Sequence, residues 1–340
     1  MLNKKLTIAL VGLGRISQTH INAISNFPSL FSIKYLVDNK IKGKQNSKYI
    51  YIQSYEDVLK DDEVDLIVLC TPSNLHFEQC MLANNFNKSF LCEKPVSCTL
   101  EMSQLLISNI KVKNFVALQN RYNPPIKILK DIIQNKTLGK IYQVSINLFW
   151  SRTQDYFNQN PWRGKLIEDG AIVNQGFHYL DILIWMFGMP KTVFATVKTL
   201  GLKIEAEDSV SAIFEFANAM ICSLNISLLA KDDIEGSISV IGEHGHVKVG
   251  GKSLNNLEYI KLDGNKDVNT SKQLNHDMST SNKDNVYGNG HIELYEDVYN
   301  SLVLNKTSYS IATIKSDYLI NKLIKAIRLS SNTNKLITIV

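Results

Sequence analysis

The sequence lacks several features that would mark a secreted, membrane-bound or nucleic-acid-binding protein. None of its five cysteines forms a Cys-x-x-Cys pair, which predicts reduced, buried thiols and a cytoplasmic location. The apolar run at residues 6–13 is too short for a membrane span and is followed by no small-x-small cleavage site, so we interpret it as a core strand. Lys and Arg are scattered among acidic residues and the net charge is only +5, which argues against a nucleic-acid partner.

A strand, a glycine turn and a helical pattern follow one another between Leu6 and Ser17. Gly12 allows the tight turn, Gly14 lets the backbone approach a phosphate, and the helix offers unpaired N–H groups to an anion. Asp38 ends the next predicted strand, 24 residues after Gly14. A carboxylate there accepts both ribose hydroxyls and repels a 2′-phosphate. The combination predicts a dinucleotide site and favours NAD over NADP as the cofactor.

The 340 residues suit two domains of different architecture. Through the first third, apolar strands alternate with helical patterns, which predicts the doubly wound parallel sheet of a Rossmann domain over residues 1–122. Residues 123–340 carry alternating strands joined by hairpin turns, which predicts an α+β domain with an open, mainly antiparallel sheet. Within it, the polar stretch 263–285 is predicted to be a surface excursion.

Glu93-Lys94-Pro95 directly follows a predicted parallel strand, at the sheet edge where a ligand would bind. An ammonium at Lys94 can hold a substrate hydroxyl and stabilise negative charge on its oxygen. The alternative is an exposed lysine in a loop.

Asn174, His178 and Asp181 share one face of a predicted helix that is otherwise apolar. Such a polar stripe lines a cavity or is satisfied internally. His178 is a natural general base near neutral pH, and Asp181 could orient its ring. The alternative is a structural core histidine. No set of His or Cys falls at the spacing of metal ligands, so we predict no metal site.

Arginine and aromatic residues recur at residues 119–124 and 162–164, where two domains would meet. An arginine fork suits a phosphate or carboxylate. An interdomain salt bridge is the alternative at either position.

These motifs, in this order, resemble the glucose–fructose oxidoreductase / inositol dehydrogenase / MocA (Gfo/Idh/MocA) family. The resemblance rests on the glycine turn, residues 71–76, Glu93-Lys94-Pro95 and the Gly-x-His-x-x-Asp block at residues 176–181. It implies that Lys94 and His178 are catalytic and that the open sheet forms a homo-oligomer, a dimer or a tetramer. Asn174 stands where many members carry Asp, which leaves His178 as the base.

The resemblance is greatest to the branch that acts on sugar nucleotides. It implies NAD-dependent oxidation of the 3-hydroxyl of UDP-N-acetylglucosamine or its uronic acid, in the synthesis of bacterial surface polysaccharide (O-antigen). Three alternatives stay open: an inositol or free-sugar dehydrogenase, glycoside cleavage by transient oxidation, and a non-catalytic dinucleotide-binding regulator.

Motifs and resemblance together predict two sets of ligand-binding residues. The residues predicted to bind the cofactor are Gly12, Leu13, Gly14, Arg15, Ile16, Asp38, Thr71, Pro72, Asn74, His76, Glu93, Lys94, Gln119, Trp162 and Arg163. The residues predicted to bind the substrate are Lys94, Arg121, Tyr122, Asn123, Asn174, His178 and Tyr179.

Overall fold

A computed structural model describes residues 4–40, 48–264 and 290–339 of the chain. The chain forms two compact units, Met1–Gln119 with Gly290–Tyr318 and Asn120–Asn289 with Leu319–Val340. It therefore passes between the units three times, whereas the sequence predicts one boundary after residue 122. Residues 265–285 of the predicted polar excursion lie outside the described residues.

The first unit is built on a six-stranded parallel sheet, which confirms the doubly wound architecture. Its strands are β1 (Leu6–Val11), β2 (Phe31–Val37), β3 (Ile50–Ile52), β4 (Leu66–Leu69), β5 (Ser89–Cys92) and β6 (Asn114–Val116). They pair in the order β3-β2-β1-β4-β5-β6. The sheet extends through β2 and β3 on one side of β1 and through β4, β5 and β6 on the other, so the switch point lies between β1 and β4. All four residues of β4 are fully buried, as expected for a parallel strand that is covered on both faces.

Helices follow most strands of this unit. They are α1 (Arg15–Ser25), α2 (Tyr55–Leu59), α3 (Ser73–Asn85) and α4 (Leu100–Asn109). In the second unit, α5 (Pro124–Gln134), α6 (Gln154–Asn158) and α7 (Phe177–Phe187) follow, with a π-helix at Ala171–Gln175 before α7. Near the C-terminus, α8 (Gly290–Leu304) belongs to the first unit, and α9 (Ile314–Thr333) continues from the first unit into the second. Within the described ranges, no helix combines the length and the apolar character needed to cross a membrane.

The second unit contains an eight-stranded mixed sheet. Its strands are β7 (Ile141–Phe149), β8 (Thr192–Lys198), β9 (Ser209–Glu215), β10 (Ile221–Ser227), β11 (Glu235–Gly242), β12 (Gly245–Gly250), β13 (Asn256–Leu262) and β14 (Ile337–Thr338). Their order is β13-β12-β11-β7-β10-β9-β8-β14. The predicted hairpins join β9 to β10 and β11 to β12. The pair β7–β10 is parallel, which makes the sheet mainly, but not wholly, antiparallel.

One face of this sheet is buried and the other is exposed. On the exposed face, Phe194 and Ile213 lie opposite each other on β8 and β9. Nearer the centre the side chains are small and polar, and the Ser223 hydroxyl donates to that of Ser145 at 3.3 Å. The face therefore carries small polar side chains at its centre and apolar ones on β8 and β9.

Asp317, in the first turn of α9, is fully buried and ties this helix to the loop after β5. Its carboxylate accepts the Val96 N–H at 2.9 Å and the hydroxyls of Ser97 and Ser103 at 2.6 and 3.2 Å. Burial raises the pKa of Asp317 to about 6, although these hydrogen bonds act in the opposite direction.

Replacement of Asp317 by Ala should lower the free energy of unfolding by about 3 kcal/mol, because it removes the acceptor of the buried Val96 N–H and of the Ser97 hydroxyl. Urea denaturation followed by circular dichroism measures the change. Asp131→Ala, at an exposed position on α5, is the control and should change stability by less than about 0.5 kcal/mol. Equal effects of the two substitutions would contradict this role of Asp317.

Candidate functional site

The glycine turn after β1 is too closely packed to admit a side chain at position 12. Gly12 has φ +91°, and a Cβ there would lie 2.7 Å from backbone atoms of Cys70 and Thr71. At Gly14 the corresponding space is open, and α1 begins at the next residue. This geometry fits a dinucleotide, whose pyrophosphate needs close backbone approach and the N–H groups of a helix terminus. Of the other predicted residues here, Arg15 is exposed and Ile16 half-buried.

Asp38, at the end of β2, holds the glycine turn as well as standing where a ribose is predicted. Its Oδ2 accepts the Leu13 N–H and its Oδ1 the Lys40 N–H, both at 2.8 Å. The carboxylate is half-buried. The turn after β1 is therefore fixed to the end of β2 by the residue predicted to select NAD.

His76 connects the loops that follow β4 and β5. Its ring nitrogens lie 2.7 Å from the Pro95 carbonyl oxygen and 2.8 Å from that of Thr71. Burial lowers the pKa of His76, and the two carbonyls partly offset this effect. His76 is buried and joins the two loops, whereas the other predicted residues Pro72 and Asn74 are exposed.

Glu93 lies between two buried imidazoles. Its Oε1 is 3.0 Å from Nε2 of His20 on α1 and 3.7 Å from Nε2 of His291 on α8. On the far side of the first ring, Nδ1 of His20 lies 2.8 Å from the Tyr295 hydroxyl. The other carboxylate oxygen of Glu93 accepts the Lys94 N–H at 3.2 Å. This cluster therefore supports the backbone of the predicted catalytic lysine.

The charges of this cluster follow from its contacts. Burial alone would lower the pKa of His20, but Cys70, Tyr295 and Glu93 outweigh burial and raise the pKa well above its usual value. Burial alone would raise the pKa of Glu93, but the hydrogen bond with His20 and the nearby ring of His291 lower it well below its usual value. Burial lowers the pKa of His291. Near neutral pH the cluster is thus a buried ion pair, His20 with Glu93, beside a neutral His291.

These three side chains are also the group, among the described residues, that brings atoms able to ligate a metal within 4.8 Å of one another. Two imidazoles and a carboxylate suit zinc. However, His20 is already bonded to Tyr295 and Glu93. Hydrogen bonding therefore accounts for two of the three side chains, and we assign the group no metal.

Lys94 alone is half-exposed in the segment from Phe90 to Ser97, where every other residue is buried. Its peptide bond to Pro95 is cis. The predicted residue Gln119 is buried at the start of a short 3₁₀ helix, and its side-chain oxygen has no hydrogen-bond partner among the described residues. Within this unit, the structure thus places Lys94 as an accessible cation on a buried, hydrogen-bonded turn.

In the second unit, the predicted helix of Asn174 and His178 begins as a π-helix. The Gly176 N–H donates to the Ala171 carbonyl at 2.7 Å, five residues earlier, before α7 starts. Between Gly170 and Leu183, Asn174 and His178 are half-exposed and the other residues are buried. Such π-turns are frequent at functional sites.

Two buried carboxylates that the sequence analysis did not single out hold this π-helix. Glu207 accepts the Ile172 N–H at 3.0 Å and is paired with Arg328 at 3.1 Å. Asp169 accepts the Asn174 side-chain amide at 2.7 Å. Neither residue lies at a diagnostic spacing from a motif, so the sequence offers no local signal for them.

Arg121 and Asp181 form a buried ion pair within the second unit. The guanidinium donates to both carboxylate oxygens, from Nε at 2.8 Å and from Nη2 at 2.5 Å, and lies over the Trp185 ring at 5.2 Å. The carboxylate that the sequence suggested as an orienting group for His178 therefore bonds Arg121.

The remaining predicted residues of this unit are buried or partly buried. Asn123 donates to the Ser253 carbonyl at 3.3 Å, and Tyr122 and Tyr179 are almost fully buried. Burial raises the pKa of the Tyr179 hydroxyl. Arg163 donates to the Tyr156 carbonyl at 2.9 Å and its guanidinium lies 3.8 Å from the Tyr156 ring centre, while Trp162 is half-exposed.

The His20–Glu93 pair gives a pH-dependent stability. Because the folded pKa of His20 is raised, its contribution is fully present below the unfolded value near 6.5 and is lost as the pH rises through the folded value. His20→Gln should therefore cost about 3 kcal/mol at pH 6 and clearly less at pH 9, measured by urea unfolding at several pH values. The exposed His244→Gln is the control. A cost of His20→Gln that is the same at all pH values would contradict the ion pair.

Two family models match the chain. Residues 6–120 match the model of the oxidoreductase family with an NAD-binding Rossmann fold, and residues 126–248 match the GFO/IDH/MocA C-terminal domain. The chain is 30% identical to the WlbA dehydrogenase of Bordetella pertussis, solved in complex with NADH and UDP-GlcNAcA, with a TM-score of 0.91 and coverage of 100% of this chain and 99% of that one.

Two further relatives extend the comparison. The WlbA dehydrogenase of Chromobacterium violaceum, also in complex with NADH and UDP-GlcNAcA, is 28% identical with a TM-score of 0.89, over 100% of this chain and 97% of that one. The scyllo-inositol 2-dehydrogenase (NADP⁺) IolW of Bacillus subtilis is 30% identical over 152 residues, 43% of this chain and 41% of that one. The chain belongs to the Gfo/Idh/MocA family and is an NAD-dependent oxidoreductase.

Proposed function

We propose that this protein oxidises the 3-hydroxyl of a UDP-N-acetyl-hexosamine, UDP-N-acetylglucosamine or its uronic acid, in the synthesis of bacterial surface polysaccharide. The observation that carries the proposal is the full-length match to a WlbA dehydrogenase solved with UDP-GlcNAcA. The predicted catalytic residues support it, because Lys94 and His178 are each half-exposed in an otherwise buried segment.

The glycine turn would hold the cofactor, with Gly12 and Gly14 at the pyrophosphate and Asp38 beside the adenosine ribose. NAD, when bound, accepts the hydride that leaves the oxidised carbon. Trp162 and Arg163 are proposed to contact the nicotinamide half.

In the proposed reaction, His178 removes the proton from the sugar hydroxyl. Lys94 donates a hydrogen bond to the same oxygen and stabilises its negative charge as the proton leaves. Asn174, Tyr122, Asn123 and Tyr179 are proposed to contact the sugar or its substituents. Arg121 is the weakest member of this set, because Asp181 already accepts from two of its nitrogens.

Lys94→Met and His178→Asn should each lower kcat by about 10²-fold or more and leave the affinity for NADH within a few-fold, because each removes a group that acts on the hydroxyl. Absorbance of NADH measures turnover, and quenching of protein fluorescence measures binding. Lys191→Met and His246→Asn, outside the proposed site, are matched controls. Undiminished turnover in both test variants would contradict these roles.

A substrate panel tests the function itself. The panel contains UDP-N-acetylglucosamine, its uronic acid, UDP-glucose, free sugars and inositols, each with NAD⁺. Preferred turnover of an acetamido UDP-sugar supports the proposal. Preferred turnover of an inositol or a free sugar would favour the alternative that the similarity to IolW raises.

We also propose that the exposed face of the eight-stranded sheet joins copies of this chain. Phe194, Ile213, Ile221 and Ile241 are between 41% and 60% exposed on this face, which is unusual for a cluster of large apolar side chains on a monomer. The small polar centre of the face would let two sheets approach closely.

Ile213→Asp should therefore convert the homo-oligomer to a smaller species, because it places an unpaired charge in the proposed interface. Size-exclusion chromatography with light scattering measures the mass. Leu105→Asp, at a position of similar exposure on α4, is the control and should leave the mass unchanged. A wild-type monomer would contradict the proposed interface.

A further inference from the structure

Asp169 is a fully buried carboxylate that joins two segments predicted to contact ligands. Its Oδ2 accepts the Gly164 N–H at 2.8 Å, at the end of the Trp162-Arg163-Gly164 segment. Its Oδ1 accepts the side-chain amide of Asn174 at 2.7 Å, on the π-helix.

The surroundings of Asp169 hold it in place. The Gly164 carbonyl accepts the N–H groups of Glu205 and Ala206 at 3.0 and 2.8 Å, and the Asp169 N–H donates to the Lys165 carbonyl at 3.0 Å. On the other side, the π-helix is fixed through the N–H of Ala171, which donates to the Glu207 carbonyl at 2.8 Å. The carboxylate therefore meets Asn174 between two anchored stretches of backbone.

This contact determines which way the amide of Asn174 points. An ionised carboxylate only accepts hydrogen bonds, so the amide nitrogen of Asn174 must turn towards Asp169 and the amide oxygen away from it. The amide of this half-exposed side chain thus has a fixed orientation, with its oxygen directed away from Asp169.

We propose that Asp169 is a positioning residue that makes Asn174 present its oxygen, as a hydrogen-bond acceptor, to an N–H donor of the substrate. The inference rests on the proposed function, in which Asn174 contacts the sugar. The N–H of an acetamido group can only donate, whereas a hydroxyl both donates and accepts. The pair therefore allows an acetamido N–H to bond at this position, which the opposite orientation of the amide would prevent, whereas a hydroxyl could bond to the amide in either orientation.

Asp169→Asn tests the polarity directly. The new amide keeps an oxygen for the Gly164 N–H and offers its NH₂ to Asn174, whose amide must then reverse. The ratio of kcat/KM for UDP-N-acetylglucosamine over UDP-glucose should fall by about tenfold, chiefly through KM for the acetamido sugar. The affinity for NADH should change less than threefold, and Asp155→Asn, at an exposed position on α6, should change neither quantity.

A second substitution should restore the preference. In Asp169→Asn combined with Asn174→Asp, the amide donates to the new carboxylate, which again offers an oxygen to the substrate. The ratio should return to within about threefold of the wild-type value, a rescue that a purely structural role of Asp169 would not produce. If Asp169→Asn does not fold, Asn174→Ala is the second test, and it should raise KM for both sugars by about tenfold because it removes the acceptor from either.

The outcomes separate the inference from the proposed function. A wild-type enzyme that turns over UDP-sugars, with a ratio that Asp169→Asn does not alter or, where that variant does not fold, with KM values that Asn174→Ala does not alter, overturns the role of the pair and leaves the proposed function standing. A wild-type enzyme that turns over neither UDP-sugar contradicts the proposed function and, with it, the substrate contact of Asn174.

Discussion

The close approach of the turn after β1 to the end of β4 is the constraint on which the first unit depends. Because the backbone of Cys70 and Thr71 occupies the space of a Cβ at Gly12, the chain can turn there only with a glycine. The turn sets the start of α1, and α1 carries His20 to Glu93. The requirement for glycine at position 12 is thus linked, through α1 and the His20–Glu93 ion pair, to the turn that bears Lys94.

In each unit, a half-exposed polar side chain lies on a segment that donates hydrogen bonds to buried carboxylates. Glu93 accepts the Lys94 N–H, and Asp169 and Glu207 accept from the π-helix that bears Asn174. A buried carboxylate is costly unless donors surround it, and the donors here are backbone N–H groups, one imidazole, one guanidinium and one amide. The cost of burial is offset by bonds that also give the local backbone a single conformation, which the proposed site for hydride transfer needs.

The local patterns of the sequence predict the strands and turns well. A strand that is buried on both faces is a continuous apolar run, and a strand that is buried on one face alternates apolar and polar residues. The glycine turn and the hairpins are confirmed. The parallel pair β7–β10 and the membership of α8 in the first unit could not be predicted, because they depend on partners far apart in the chain. For the same reason His291 and Asp169 were missed, whereas the catalytic roles of Lys94 and His178 stay predictions.

The return of the chain to the first unit makes that unit discontinuous in sequence. Tyr295 and Asp317 bond to His20 and Val96, which lie 275 and 221 residues earlier in the chain. A fragment that ended after β6 would therefore lack these two partners, and would leave Nδ1 of His20 and the Val96 N–H unsatisfied. Any autonomous cofactor-binding piece of this protein has to be assembled from two separate stretches of the chain, and its last contacts form only after the ribosome has made residues 290–318.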